Sequence, residues 1–206
     1  MKNFITIEGC DGVGKTFQTN LLKQYCAQNG YDVVFTREPG GSEIAEKIRN
    51  IILDVKNQGM DDLCEAFLYA SARIQHLKDI VKPALEQGKV VFCDRFIHSS
   101  YAYQGFGRGI DLDTIVHLNE LAIGQYAPQY VIFLDLSPED AFKRKGGQDK
   151  NDRMENVDFS FHQRVYAGYK HFAQSNPDTF ICIDASGTVE ETHNKIVSAL
   201  KQKGIL

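Results

Sequence analysis

The chain has 206 residues, a length that suits a single domain able to bury roughly 70% of its unfolded surface without a disulfide or metal staple. Its 23 basic and 27 acidic residues leave a net charge of −4, and with 43% hydrophobic and 24% charged residues the composition is that of an ordinary globular protein. That balance excludes a generic nucleic-acid binder, whose domain would be strongly basic.

The first element in chain order is a short apolar strand, Phe4-Ile5-Thr6-Ile7. It is followed at once by Gly9-Cys10-Asp11-Gly12-Val13-Gly14-Lys15-Thr16, which fits G-x-x-x-x-G-K-[ST] at every specified position. Glycines there let successive backbone N–H groups turn inward on an anion, and the helix that follows offers its positive N-terminus to the same charge. Lys15 is placed to reach the β- and γ-phosphates of a nucleoside triphosphate, and the Thr16 hydroxyl to ligate Mg²⁺. A helix with Leu21, Leu22, Tyr25 and Cys26 then runs to Gly30, and Val33-Val34-Phe35 forms a second strand. Ile44, Ile48 and Ile52, spaced by four, predict the next helix, and a long helical pattern spans about Asp61 to Glu86. Val90-Val91-Phe92-Cys93-Asp94 is a strand that ends in a carboxylate, the arrangement that puts an acid near the metal in P-loop proteins. Two further strands are Val131-Ile132-Phe133-Leu134 and Phe180-Ile181-Cys182-Ile183. Continuous apolar strands alternating with helices predict an α/β fold with a five-stranded parallel sheet covered on both faces. Lys143 to Arg153 is a net +3 stretch with Gly146-Gly147 at its middle. No repeat, linker or domain boundary interrupts residues 1–206.

Cys10, Cys26, Cys64, Cys93 and Cys182 show no C-x-x-C or metal-ligand spacing and read as small buried hydrophobes in a reducing compartment. No apolar run approaches the about 18 residues a membrane helix needs. The segment before the first strand leaves no room for a signal peptide, so the expected location is the cytoplasm. A guanine-specific N-K-x-D motif is missing, since Asn194-Lys195 is followed by Ile196-Val197, which argues against a GTPase.

Three further strings narrow the class: Thr36-Arg37-Glu38-Pro39-Gly40-Gly41, Tyr69-Ala70-Ser71-Ala72-Arg73, and Asp94-Arg95-Phe96 through Tyr103-Gln104-Gly105. With the P-loop they resemble the thymidylate kinase family over nearly the whole chain, to Asp184-Ala185-Ser186-Gly187, which is similar to the family's loop beside the adenine. The resemblance implies a three-layer P-loop NTPase-type fold with a mobile lid at about 143–153. It also implies ATP as phosphoryl donor, dTMP as acceptor, Mg²⁺ held by Thr16 and Asp94, and a homodimer. By the same resemblance Arg37 and Arg95 grip the acceptor phosphate, Tyr69 stacks on thymine, and Arg73 bonds a thymine carbonyl. Ser100 meets the base edge, Tyr103 crowds the sugar's 2′ side, Gln104 lies nearby, and Asp11 holds the 3′-hydroxyl. Gly12 stands where some members carry a catalytic arginine, so the resemblance assigns that charge to the lid, with Arg153 and Arg144 as the matching positions beside Lys145 and Lys150. The residues leave two alternatives open, another nucleotide or nucleoside kinase and a P-loop protein that binds ATP without transferring phosphate.

Overall fold

The computed structural model describes residues 3–145, 153–154 and 157–206. Five parallel strands, β1 (Phe4–Glu8), β2 (Val33–Arg37), β3 (Val90–Asp94), β4 (Tyr130–Asp135) and β5 (Phe180–Asp184), lie in the order β2-β3-β1-β4-β5. β1 is central, with Ile5 paired to Phe92 on one side and to Tyr130 on the other. Its five residues are all buried, as an apolar run covered on both faces requires.

Alternate residues feed two cores. Ile5, Ile7 and Phe92 pack with Leu22 and Cys26 of α1 (Lys15–Gln28), Val165 and Tyr169 of α8 (Phe159–Ser175), and Ile196 and Leu200 of α9 (Val189–Gln202). Phe4, Val91 and Cys93 pack on the opposite face with Ala66 of α3 (Asp62–His76), Leu85 of α4 (Lys82–Glu86), and Ile115 and Ile123 of α6 (Leu112–Ile123). The result is the expected helix–sheet–helix layering. The long helix expected over 61–86 starts under an Asp61 cap, which accepts from the N–H of Leu63 at 2.9 Å, and passes through a π-type stretch at Leu77–Val81 between α3 and α4.

The helix expected from Ile44, Ile48 and Ile52 forms, and one expectation, on the cysteines, is corrected. In α2 (Glu43–Leu53) the buried positions are Ala45 and Ile52, while Ile44 is half exposed. A spacing of four drifts about 40° per step around a helix of 3.6 residues per turn, so Ile44 and Ile52 lie about 80° apart and Ile44 falls at the margin of the face that Ile52 buries. All five cysteines are free, yet only Cys10, Cys26 and Cys93 are buried; Cys64 and Cys182 are exposed, the latter on edge strand β5.

The parallel strands bring Glu8, Arg37, Asp94, Asp135 and Asp184 to one edge of the sheet, the edge where ligands bind in α/β folds. α5 (Ile97–Ser100), the π-type stretch Tyr101–Gly107 and α7 (Pro138–Lys145) complete the fold. Gly146, Gly147, Lys150 and the side chain of Lys145 lie outside the described residues. No helix among the described residues is long and apolar enough to cross a membrane.

Candidate active site

A cleft of about 900 Å³ opens at the carboxyl edge of the sheet. One wall is the turn between β1 and α1. Gly9, at φ 148°, lets this turn press on β4, since a Cβ there would sit 2.9 Å from the Leu134 carbonyl oxygen. Gly14 begins α1 in the left-handed region at φ 98°. Lys15 is nearly buried and donates from Nζ to the Gly9 and Cys10 carbonyls, each at 2.9 Å. Burial, reinforced by the nearby Arg95, lowers its pKa, against the opposing pull of Asp11 and Asp94. Burial pushes the Cys10 thiol up to about 12, which suits the inert role expected of it.

Arg95 stands where β3 leaves the sheet, with φ 68°, and Nη2 forms an ion pair with Asp11. Tyr103 donates its hydroxyl to the other Asp11 oxygen at 2.7 Å, and its ring lies 5.0 Å from the Arg95 guanidinium carbon. Burial alone would raise the Asp11 carboxyl, but Arg95, Lys15 and the Tyr103 hydrogen bond hold it well below the usual carboxylate range. Asp11 of the phosphate loop and Arg95 and Tyr103 of the string after β3 thus form one charged cluster facing the cleft.

Tyr69, Ser100 and Gln104 also line the cleft, as do Gly12, Val13, Gly14, Thr16, Arg37, Asp94 and Arg144. Arg37 is half exposed and grips Glu46 through Nη2 at 2.9 and 3.1 Å. Asp94 has a buried oxygen, Oδ1, without a hydrogen-bond partner in the structure. Arg144 caps the loop after β5, donating to the carbonyls of Ala185, Ser186 and Gly187 at 2.6, 2.7 and 3.1 Å.

Four expected residues do not line the cleft: Gly9 and Cys10 at the start of the phosphate loop, and the side chains of Arg73 and Arg153. Arg73 is 1% exposed and lies beneath the lining: Nε donates to Glu38 at 2.7 Å, and Nη1 to Ser100 at 3.1 Å and to Asn119. It shares the side of α3 with Tyr69, as their spacing implies, but one turn deeper. Arg153, expected to face ATP from the lid, is 5% exposed and donates instead to the Ile52 carbonyl at 2.7 Å and to Glu65 at 2.6 Å. Glu65, a fully buried carboxylate that Arg108 and Gln104 also contact, holds the arginine there.

Sequence reasoning missed the buried supports. Glu38 holds both Arg73 and His76, the latter at 2.8 Å, and His76 meets Thr36 at 2.7 Å. Asn119 presents Oδ1 to Arg73 because its amide nitrogen is committed to the Ile115 carbonyl at 2.7 Å. Glu8, at the end of an apolar strand, carried the one available signal, a carboxylate in a segment that must be buried.

Comparison with known proteins shows the family of the chain. A family model described as thymidylate kinase matches residues 7–196. A thymidylate kinase of Finegoldia magna is 46% identical over 203 residues, covering 98% of this chain and all of that one. Another, of Symbiobacterium thermophilum, is 45% identical over 95% of this chain and 91% of its own. The crystal structure of thymidylate kinase from Ehrlichia chaffeensis superposes with a TM-score of 0.78 at 36% identity, over 97% of this chain and 98% of that one. The chain belongs to the thymidylate kinase family, whose reaction is transfer of the γ-phosphoryl group of ATP to dTMP.

Proposed function

We propose that this chain catalyses its family's reaction in the cleft at the carboxyl edge of the sheet, with the following division of labour. The backbone of residues 9–16 cradles the ATP phosphates and Lys15 meets their charge. Arg37 and Arg95 hold the phosphate of dTMP as bidentate forks. Tyr69 stacks on thymine, Ser100 and Gln104 contact the acceptor, Tyr103 crowds the sugar, and Asp11 receives its 3′-hydroxyl. Arg73 reaches the base side from behind Ser100. Arg144, which lines the cleft, is a stronger candidate than the buried Arg153 for the cation supplied from the lid side.

The observation that carries this reading is the Asp11–Arg95–Tyr103 cluster beside Lys15, which sets an acceptor-side arginine against the phosphate loop. The acceptor is a phosphate already mostly dianionic at neutral pH, so it needs little general-base help. What remains is to align two polyanions and offset their repulsion, which cations and backbone N–H groups do.

The residues present fit Mg²⁺. Asp94 offers an unpartnered carboxylate oxygen and Thr16 a hydroxyl, both lining the cleft. One carboxylate and one hydroxyl suit an ion that takes its other ligands from water and substrate phosphates. When bound, the metal would neutralise charge on the ATP phosphates.

A second copy of the chain is the proposed partner. Leu63, Phe67 and Ile74 form an exposed apolar stripe on α3, flanked by Ile44 and Ile51 of α2 and by Leu121 of α6. Light scattering should give a dimer mass that Phe67→Glu lowers to that of a monomer. Five free thiols suit a reducing cytoplasm.

The deciding experiment is ADP formation from ATP and Mg²⁺ across a panel of monophosphates. dTMP should far exceed UMP, dCMP, AMP and GMP, with Arg95→Ala losing activity through dTMP and Lys15→Ala through ATP. Equal turnover of all acceptors would remove the base-pocket assignment.

A further inference from the structure

We propose that Glu8 is a positioning residue for Arg95, acting through the hydroxyls of Ser99 and Tyr169. The proposal rests on the reading that Arg95 grips the acceptor phosphate. Arg95 is the one non-glycine with positive φ among the described residues, and such a conformation persists only where its surroundings over-determine it. Glu8 supplies part of that constraint: Oε1 accepts the N–H of Phe96, the residue after Arg95, at 2.8 Å.

The other oxygen acts on the side chain. Oε2 accepts the Ser99 hydroxyl at 2.6 Å and the Tyr169 hydroxyl at 3.0 Å. The two hydroxyl oxygens also lie 2.8 Å apart, so Ser99 gives its single proton to Glu8 and Tyr169 divides its own between Glu8 and Ser99, which leaves lone pairs of both oxygens facing Arg95. Nη1 of Arg95 lies 3.2 Å from Ser99 Oγ and 3.3 Å from Tyr169 Oη, and 3.2 Å from the Gly9 carbonyl. A carboxylate that never reaches the cleft therefore orients two acceptors around one end of the guanidinium. The other end pairs with Asp11, leaving the plane of the fork fixed before any phosphate arrives. Glu8 is fully buried and Tyr169 is fully buried, so neither is available to touch substrate.

A glutamine at position 8 retains the shape but has only one acceptor oxygen, so it must abandon either the Phe96 N–H or the two hydroxyls. Phenylalanine at 169 removes one oxygen and keeps the ring. Glu8→Gln and Tyr169→Phe should each lower kcat/KM for dTMP about tenfold, the scale on which removing a supporting partner acts, and leave the KM for ATP unchanged. The dTMP dissociation constant, read by titration calorimetry, should weaken in parallel. In an Arg95→Ala background neither second substitution should weaken it further.

Thermal melts accompany each variant, and if Glu8→Gln fails to fold, Tyr169→Phe carries the same cycle alone. If Arg95→Ala binds and turns over dTMP like the parent, the role given to Arg95 fails and the proposal falls with it. If Arg95→Ala loses dTMP but the second substitutions weaken binding equally in both backgrounds, Arg95 keeps its role and the positioning by Glu8 is overturned.

Discussion

Replacing His98 by phenylalanine should flatten the acid side of the stability profile. His98 is buried in α5, one residue before Ser99 and two before Ser100, with its ring among those of Tyr101, Phe172 and Phe180. Its Nδ1 has no hydrogen-bond partner in the structure. Burial, helped by the positive charge of Arg73, lowers its pKa to about 3. The unfolded chain titrates the same ring near the ordinary value of about 6.5. Between these values the unfolded state holds a proton that the folded state refuses, so stability is full above pH 6.5 and is lost as pH falls toward 3. From pH 7 to pH 5 the unfolded histidine becomes almost fully protonated, and the resulting loss is about 2 kcal/mol. Urea melts of parent and His98→Phe at both pH values isolate this difference, because every other titrating group is common to the pair. The variant should lose about 2 kcal/mol less than the parent over that interval. Parallel losses would show that His98 charges freely in the folded protein and that the aromatic packing around α5 is misjudged.

Lys15 titrates from a value lowered by burial and by Arg95, so kcat/KM for ATP should fall on the alkaline side below pH 10.5 as the ammonium is lost; a limb at or above that value would refute the placement. Asn119→Ala strips a partner from the buried Arg73 and should destabilise the fold by about 1–3 kcal/mol in urea melts while weakening dTMP binding; unchanged stability would place Arg73's support elsewhere. Of the five thiols, Cys64 should react fastest with a colorimetric disulfide reagent in the native protein and Cys182 more slowly, since burial and Asp135 raise the Cys182 thiol although the residue is exposed; Cys10, Cys26 and Cys93, buried and raised by burial, should resist. Rapid labelling of three or more would contradict that burial.

The five strands were legible because each is a continuous apolar run, and the phosphate loop because its parts are contiguous. The supporting carboxylates were not. Glu8 meets Tyr169 across 161 residues, and Glu65 meets Arg153 across 88, so no local pattern connects them. Charged residues also read as surface by default, which hid Glu38 and Glu65. Spacing showed that Tyr69 and Arg73 share a helix side, but depth depends on what packs behind, and there Glu38 and Asn119 claim the arginine. The lid assignment of Arg153 was carried over from the family's motif, and only the fold revealed the acid that holds it.

Arg37, Arg73 and Arg95 are each paired with a carboxylate, and burial sets the three pairs apart. The Arg37 and Glu46 side chains are 45% and 38% exposed, and an exposed pair contributes only about 0.2–1 kcal/mol. A phosphate dianion, with more charge and a geometry matched to the fork, can take the place of Glu46 with little loss. Arg73 and Glu38 are each 2% exposed, and removing one partner would strand a buried charge at a cost of about 3–5 kcal/mol. Arg73 therefore keeps its carboxylate and acts on the base side only through donors and neighbours it already orients. Arg95 lies between these limits, with Asp11 held also by Tyr103, so phosphate should add to its fork without displacing the acid. A chain of net charge −4 can bind two polyanions in this way, because its carboxylates order the cations and yield only where solvent already weakens the pair.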